Sequence, residues 1–286
     1  MKTLKTTFLL TALTLLLLAL GQAFGGPRGM TFALVIAVLM NGTAYFFSDK
    51  IALASSGAVP ISREQAPRLY AVMERLAAKA NLPMPKLYLI PQPAPNAFAT
   101  GRNPSHASVA VTEGLLELMN DDELEGVIAH ELSHVRNYDI LTSSIAATIA
   151  GAITWVAEMG RWGMIFGGWG GGSNEGRRGG GGLTAILMLF LAPVAALLLQ
   201  LGISRQREYQ ADASGARMVG HPYGLISALE KLGAYNKKIP MDIPQTTAAL
   251  CIVAPFSPGQ ILSGLFSTHP PLADRIAELR NMTVTR

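Results

Sequence analysis

Cysteine and charged residues are both scarce in this 286-residue chain. Its one cysteine, Cys251, excludes a disulfide-bonded scaffold. Only 15% of the residues are charged, whereas an ordinary soluble domain has about 25%. The net charge of +4 is small and scattered, which argues against a nucleic-acid partner. Since 50% of the residues are apolar, intrinsic disorder is also excluded, and the composition indicates a protein of the lipid bilayer.

Four charge-free apolar stretches approach the roughly 20 residues that a transmembrane helix needs. We predict membrane-spanning helices at 6–27, 29–48, 140–157 and 183–204. The first stretch could instead be a signal peptide, but a second apolar stretch follows within a few residues, which favours an uncleaved helical hairpin. The third stretch is short and contains five Ser or Thr residues, so it and the fourth could form a shallow hairpin that does not cross the membrane.

The polar parts of the chain are predicted to lie together on the cytoplasmic side. Lys2 and Lys5 precede the first apolar stretch, which favours a cytoplasmic start by the positive-inside rule. Two crossings then return the chain to the cytoplasm, so 49–139 and 205–286 would form the two parts of one domain. Between them, 158–182 is predicted to be a glycine-rich connector, and no Gly-Lys-Ser/Thr follows it as in a phosphate-binding loop.

The polar parts indicate an α+β fold that is mainly helical, with few and short strands. Apolar residues at helical spacing predict an amphipathic helix over 63–80. Short apolar runs predict strands at 86–90 and 107–111. Further helices are expected to begin at Asp121 and to cover 222–236 and 271–280.

The helix that begins at Asp121 contains the motif His130-Glu131-Leu132-Ser133-His134. Residues four apart lie on one face of a helix, so both imidazoles can bind one metal ion. Glu131, one step around the helix, can then act as general base on a water molecule. This arrangement predicts a zinc-dependent peptide hydrolase.

A catalytic zinc ion needs a third protein ligand, for which Glu208 is the candidate. Asp212 follows one helical turn later on the same face, which places a hydrogen-bonding carboxylate beside this ligand. Alternatively, Glu208 is a surface residue paired with Arg205 or Arg207. Two predicted crossings separate His134 from Glu208, so both lie on the same side of the membrane. Each lies close to a predicted span, which predicts membrane-bound or membrane-proximal substrates.

The motifs together resemble the HtpX heat-shock membrane metallopeptidases, relatives of the CAAX prenyl proteases with a zincin-like, gluzincin-type site. The resemblance covers nearly the whole chain and is carried by four segments: Asn96–Gly101, His130–His134, Glu208–Asp212 and Thr268–Arg275. It implies that His130, His134 and Glu208 bind one zinc ion and that Glu131 is the general base. It also implies that His269 approaches the reaction intermediate as a stabilising donor, and that Asn96–Gly101 lies beside the substrate-binding edge strand.

The same resemblance implies a multi-pass endopeptidase of the bacterial inner membrane with a cytoplasmic active site. Its substrates would be misfolded or damaged membrane proteins and unfolded polypeptides, in a stress response. We expect an extended peptide to add as a strand to the edge at 107–111. The predicted substrate region therefore includes Asn96, Phe98 and Val109.

Two alternatives remain at this stage. A membrane chaperone could bind zinc for folding alone, but a structural site has no need of Glu131 between its ligands. A prenylated peptide could be the substrate, but four predicted spans are too few to enclose a large chamber.

Overall fold

The computed structural model describes residues 4–167, 204–235, 238–254 and 270–283. Residues 183–203 of the predicted span at 183–204, most of the glycine-rich connector and His269 lie outside these residues. The described helices are α1 (Leu4–Ser55), α2 (Pro67–Lys79), α3 (Glu113–Leu118), α4 (Asp121–Asn137), α5 (Asp139–Gly167), α6 (Arg205–Val219), α7 (Tyr223–Tyr235), α8 (Gln245–Ala248) and α9 (Leu272–Asn281). The strands are β1 (Val59–Pro60), β2 (Lys86–Ile90), β3 (Ala97–Gly101) and β4 (Ala107–Thr112), with a short 3-10 turn at Pro104–His106.

Helix α1 is broken at Gly26 and folds back on itself. Gly26 has φ 56° and ψ −147°, a conformation that glycine adopts without steric cost, and Pro27 follows it. Across the turn, a Cβ on Gly21 would lie 2.5 Å from the carbonyl oxygen of Gly29, so the two halves touch through their backbones. Further along, Asn41 Nδ2 donates to Thr14 Oγ1 at 2.8 Å. The two halves therefore form an antiparallel helical hairpin.

Among the described residues, one helix is long and apolar enough to cross a membrane, at Gly25–Ser55. Thr6–Ala19 and Asp139–Ile153 are shorter apolar helices. The count of four crossings stays a prediction.

Helix α5 packs against the hairpin and extends further than predicted. Leu9 and Leu13 of α1 share an apolar cluster with Ile145 and Ile149 of α5, and Thr6 and Thr142 share a hydrogen bond of 3.0 Å. The helix continues to Gly167, so the prediction of a connector from 158 onward is wrong for 158–167. A charged residue ends an apolar run, but it does not end a helix.

The sheet has the strand order β1-β2-β4-β3. β2 and β4 are parallel, and the outer pairs are antiparallel. Because β4 is hydrogen-bonded on both sides, the prediction of a free edge at 107–111 is wrong. β3 is an edge strand, as is the two-residue β1, and it was not predicted, because only Phe98 and Thr100 of its five residues favour strands.

Helix α4 lies at the centre of the main apolar core. That core combines residues from 61–140 with residues from 216–279, so both polar parts of the chain contribute to it. Two glycines allow close contact with α7: a Cβ on Gly126 would lie 2.5 Å from Leu225 N, and one on Gly224 would lie 2.1 Å from Asp122 O. Helix α2 begins at Pro67, later than predicted, because proline favours the first position of a helix.

Candidate active site

Helix α4 carries the His-Glu-x-x-His motif within the core. Asn120 and Glu123 form a capping box at its start. His130 and Glu131 are 1% and 2% exposed. His130 and His134 face the same side, with ring centroids 4.8 Å apart. One rigid helix therefore positions two imidazoles side by side.

Glu208 of α6 lies opposite the two histidines. Its Oε2 is 3.8 Å from His130 Nε2, and its Oε1 is 3.5 Å from His134 Nε2. The ligand atoms of the three residues all lie within 4.8 Å of one another. Helix α6 comes this close because Gly215 has no side chain, and a Cβ there would lie 3.0 Å from His130 N. The fold thus brings together the three residues that the sequence nominated as metal ligands.

The second ring nitrogen of each histidine faces a carboxylate. His130 Nδ1 lies 2.8 Å from Asp212 Oδ1, and His134 Nδ1 lies 3.4 Å from Asp139 Oδ2. A carboxylate at Nδ1 accepts the ring proton and leaves the Nε2 lone pair for a metal ion. Both imidazoles are therefore oriented for ligation.

Each of these aspartates in turn contacts an arginine. Arg275 of α9 donates to both oxygens of Asp212, at 2.8 and 2.7 Å. Arg207 of α6 donates through Nη1 to Asp139 Oδ1 at 3.3 Å. Two chains of polar contacts thus run from the arginines to the histidines.

The site contains more carboxylates than guanidinium groups. All of these side chains are fully or largely buried. The carboxylates are Glu131, Asp139, Glu208 and Asp212, and the guanidinium groups are Arg207 and Arg275. An excess of buried carboxylates is unfavourable, and a divalent cation would offset it. Two imidazoles and one carboxylate are also a donor set that catalytic zinc sites use. The residues present therefore fit a zinc ion.

These surroundings also change the pKa values of the histidines. Burial lowers the pKa of His130, so its imidazole is neutral at pH 7, the form that binds metals. Burial also opposes the charged form of His134, but Asp139, Glu208 and Glu131 outweigh it and raise its pKa to about 9. A bound cation would displace the proton that His134 carries in the metal-free chain.

Glu131 lies between the histidines and the edge strand. Its carboxylate accepts a hydrogen bond from the backbone N–H of Ala99 in β3. Burial raises its pKa to about 7, against the opposing charge of His134. A carboxyl group with a pKa near 7 can both accept and return a proton at neutral pH.

The three residues predicted to lie near the substrate are on different parts of the sheet and its surroundings. Asn96 precedes β3 and donates through Nδ2 to Val253 O at 2.9 Å. Phe98 is 0% exposed in the core, and Val109 lies on the internal strand β4. Within β3, the contact with the site is made by the backbone of Ala99, through Glu131.

Three charged residues around the site were missed in the sequence: Asp139, Arg207 and Arg275. A signal existed for Arg275, since it lies at helical spacing between Leu272 and Leu279 and thus on the apolar face of α9. An arginine on such a face needs a buried partner. No local pattern marks Asp139, because it lies five residues after His134.

Comparisons with known proteins agree with this geometry. The sequence model of the peptidase family M48 matches residues 63–283 of this chain. A protease HtpX homolog from Desulfatibacillum aliphaticivorans is 56% identical over 275 residues, which cover 96% of this chain and 88% of that protein. A protease HtpX homolog from Pelotomaculum thermopropionicum is 49% identical over 284 residues, which cover 99% of this chain and 100% of that protein.

The fold is also similar to the crystal structure of S. mikatae Ste24p, with a TM-score of 0.52 and 20% sequence identity. The match covers 97% of this chain and 64% of that protein, so this chain spans less than two thirds of its length. The α+β architecture is thus shared at low sequence identity. On the family match and the near full-length relatives, the chain belongs to peptidase family M48, among its HtpX members, and is a metallopeptidase.

Proposed function

We propose that this chain is a membrane-bound, zinc-dependent endopeptidase in which His130, His134 and Glu208 bind the metal and Glu131 is the general base. The observation that carries the proposal is the convergence of the three ligand side chains within 4.8 Å. Glu131 lies on the same helix as the two histidines, and a structural zinc site would have no use for it there.

The chemistry divides between the metal and the protein. A bound zinc ion supplies Lewis acidity, which polarises a peptide carbonyl and lowers the pKa of a water molecule. Glu131 accepts the proton of the attacking water and transfers it to the leaving amine. Burial of Glu131 supports this role, since it keeps the pKa of the carboxyl near 7.

The substrate would bind as an extended strand along β3. Ala97 O already accepts from Ile252 N at 2.9 Å, so the peptide would bind further along the strand. Main-chain hydrogen bonds to this edge give affinity with little sequence preference. Low sequence preference suits an enzyme that degrades unfolded or damaged polypeptides.

Contacts between β3 and the apolar helices support membrane proteins as substrates. Thr100 Oγ1 and Ser144 Oγ share a hydrogen bond of 2.7 Å, which joins the edge strand to α5. Since α5 packs on the α1 hairpin, a peptide on β3 would lie beside the bilayer. We place the site on the cytoplasmic face of a bacterial inner membrane.

Cleavage of an unfolded protein in detergent tests the proposed activity, with bound zinc measured in each sample. The wild type should cleave and hold one zinc ion per chain. Glu131→Gln should hold zinc and lose activity by about 10²-fold or more, because the base is removed. Glu208→Ala should lose zinc.

Glu125→Gln is the matched control. Glu125 lies on the same helix and pairs with Arg75 outside the site, at 2.8 Å. Its amide variant should cleave as the wild type does. Full activity in Glu131→Gln would remove Glu131 from the base role, and unchanged zinc content in Glu208→Ala would refute the third ligand.

The cytoplasmic orientation is tested by labelling. Glu64 is exposed, whereas Cys251 is buried. A membrane-impermeant maleimide should label Glu64→Cys in inverted membrane vesicles and leave it unlabelled in intact spheroplasts. The opposite pattern would overturn the orientation.

A further inference from the structure

The contact between His134 and Asp139 does not follow from helical geometry. Residues five apart on a continuous α-helix are separated by about 140° around the axis and about 7.5 Å along it, so their side chains point apart. Here Tyr138, with φ 62° in the left-handed region, ends α4. Asp139 begins α5 in a new direction. The break returns the Asp139 carboxylate to within 3.4 Å of His134 Nδ1.

Arg207 holds this carboxylate from the opposite side. Its Nη1 lies 3.3 Å from Asp139 Oδ1, and the two side chains are 12% and 14% exposed. Within the described part of the chain, Nε and Nη2 of Arg207 are buried and have no hydrogen-bond partner. Among the described residues, the guanidinium of Arg207 therefore makes its hydrogen bond to Asp139.

The arrangement parallels that of the other histidine. His130 contacts Asp212, and Asp212 contacts Arg275. Orientation by a carboxylate is common among metal-binding histidines, because it sets the ring tautomer and its direction. The contacts from Arg207 through Asp139 to His134 differ in that they cross the break between α4 and α5.

We propose that Asp139 and Arg207 are positioning residues that hold His134 for metal binding and so connect the metal site to the start of α5. The inference rests on the proposed function, since it concerns the same metal site. Arg207 directly precedes Glu208 on α6. One turn of α6 therefore provides one metal ligand and supports another, and a displacement of α6 relative to Asp139 would disturb both.

The experiment measures zinc affinity of the full chain in detergent by competition with a chromophoric chelator. Asp139→Asn keeps the shape and removes the charge, and zinc affinity should fall about 10- to 100-fold, as for other residues that orient metal-binding histidines. Arg207→Met should lower affinity by a smaller factor, and Arg207→Lys should recover part of it because the positive charge remains.

The double variant decides whether Arg207 acts through Asp139. In the Asp139→Asn background, Arg207→Met should change affinity less than twofold, because the carboxylate that it holds is already neutral. The visible spectrum of the cobalt-substituted chain should change in Asp139→Asn and stay unchanged in Arg217→Met. Arg217 is the matched control, since it lies on the same helix and contacts Ser214 at 3.4 Å.

Wild-type zinc affinity in Arg207→Met would overturn the proposal. An equal loss of zinc affinity from Arg207→Met in the wild-type and the Asp139→Asn backgrounds would also overturn it. Should Asp139→Asn fail to fold, Arg207→Met and Arg207→Lys decide the matter, because both keep the carboxylate. A wild-type chain that binds no zinc would instead refute the proposed function. Zinc binding with unaffected variants refutes the present inference alone.

Discussion

Arg275 donates to both carboxylate oxygens of Asp212, from Nε at 2.8 Å and from Nη2 at 2.7 Å, with its side chain 0% exposed. Its remaining nitrogen, Nη1, donates to Ile252 O at 2.7 Å. Since Ile252 N donates to Ala97 O of β3, one guanidinium joins α9, the edge strand and the aspartate behind His130. Burial opposes the charge on Asp212, but Arg275 and His130 outweigh it and lower its pKa.

Arg275→Met should therefore be strongly destabilising. Loss of one partner of a buried ion pair costs about 3–5 kcal/mol, because the other charge remains buried. The free energy of unfolding of the metal-free chain, from a denaturant titration in detergent, measures this cost. Arg280→Met on the same helix is the control, since Arg280 is 62% exposed and its pair with Glu230 should contribute less than about 1 kcal/mol. An equal loss of unfolding free energy in both variants would contradict the role of Arg275 as a buried ion-pair partner of Asp212.

The left-handed conformation of Tyr138 should be sensitive to the side chain at that position. Tyr138→Gly keeps the break between α4 and α5, because glycine adopts positive φ without strain. Tyr138→Val should lower the free energy of unfolding by about 1–3 kcal/mol, because β-branched residues resist positive φ. It should also weaken zinc binding through Asp139. Equal melting temperature and zinc affinity in the two variants would show that the break does not position Asp139.

Two helical glycines should respond in opposite ways to alanine. A Cβ on Gly126 would lie 2.5 Å from the backbone nitrogen of Leu225, which cannot move without shifting α7. Gly126→Ala should therefore destabilise the chain by about 1–3 kcal/mol. At Gly233 the obstacle is the movable tip of the Leu272 side chain, at 2.9 Å. Gly233→Ala should be neutral or slightly stabilising, because alanine favours helices by about 1 kcal/mol.

Thermal unfolding of both glycine variants in detergent makes the comparison. A melting temperature for Gly126→Ala equal to that of the wild type would mean that α4 and α7 can separate without cost.

Glu123 should make stability depend on pH. Its carboxylate accepts bonds from Lys231 Nζ at 2.7 Å, Ser227 Oγ at 2.6 Å and Asn120 N at 2.9 Å. Burial opposes the charge, but these bonds outweigh it and lower the pKa of Glu123 below 4.5. The folded pKa is thus below the unfolded one, so the stabilisation is complete above the unfolded value and is lost as pH falls through the folded value.

Glu123→Gln should accordingly be less stable than the wild type at pH 7, and the difference should shrink as the pH falls through the lowered pKa of Glu123. Denaturant titrations at several pH values measure it, with the exposed Glu230→Gln as control. A difference that is constant with pH would mean that the carboxylate charge of Glu123 does not stabilise the fold.

Patterns within one segment were read correctly from the sequence. The strand at 86–90 is observed as β2, and the helix expected from Asp121 is observed as α4 with its capping residues. The spacing of His130 and His134 determined their common face, because four residues make about one turn of a helix. These features depend on neighbours in the chain, which the sequence displays directly.

Features that depend on distant parts of the chain were decided by the tertiary structure. In the sequence, Glu208 could equally have been a surface residue paired with a neighbouring arginine, and packing of α6 on α4 at Gly215 is what brings it to the histidines. The edge role belongs to β3 and not β4, since strand order is set by long-range pairing and not by propensity. Arg207 and Asp139 meet across 68 residues of chain, and only where α4 breaks at Tyr138. Thus local spacing determined the metal-binding motif, and the packing of distant helices determined what surrounds and orients it.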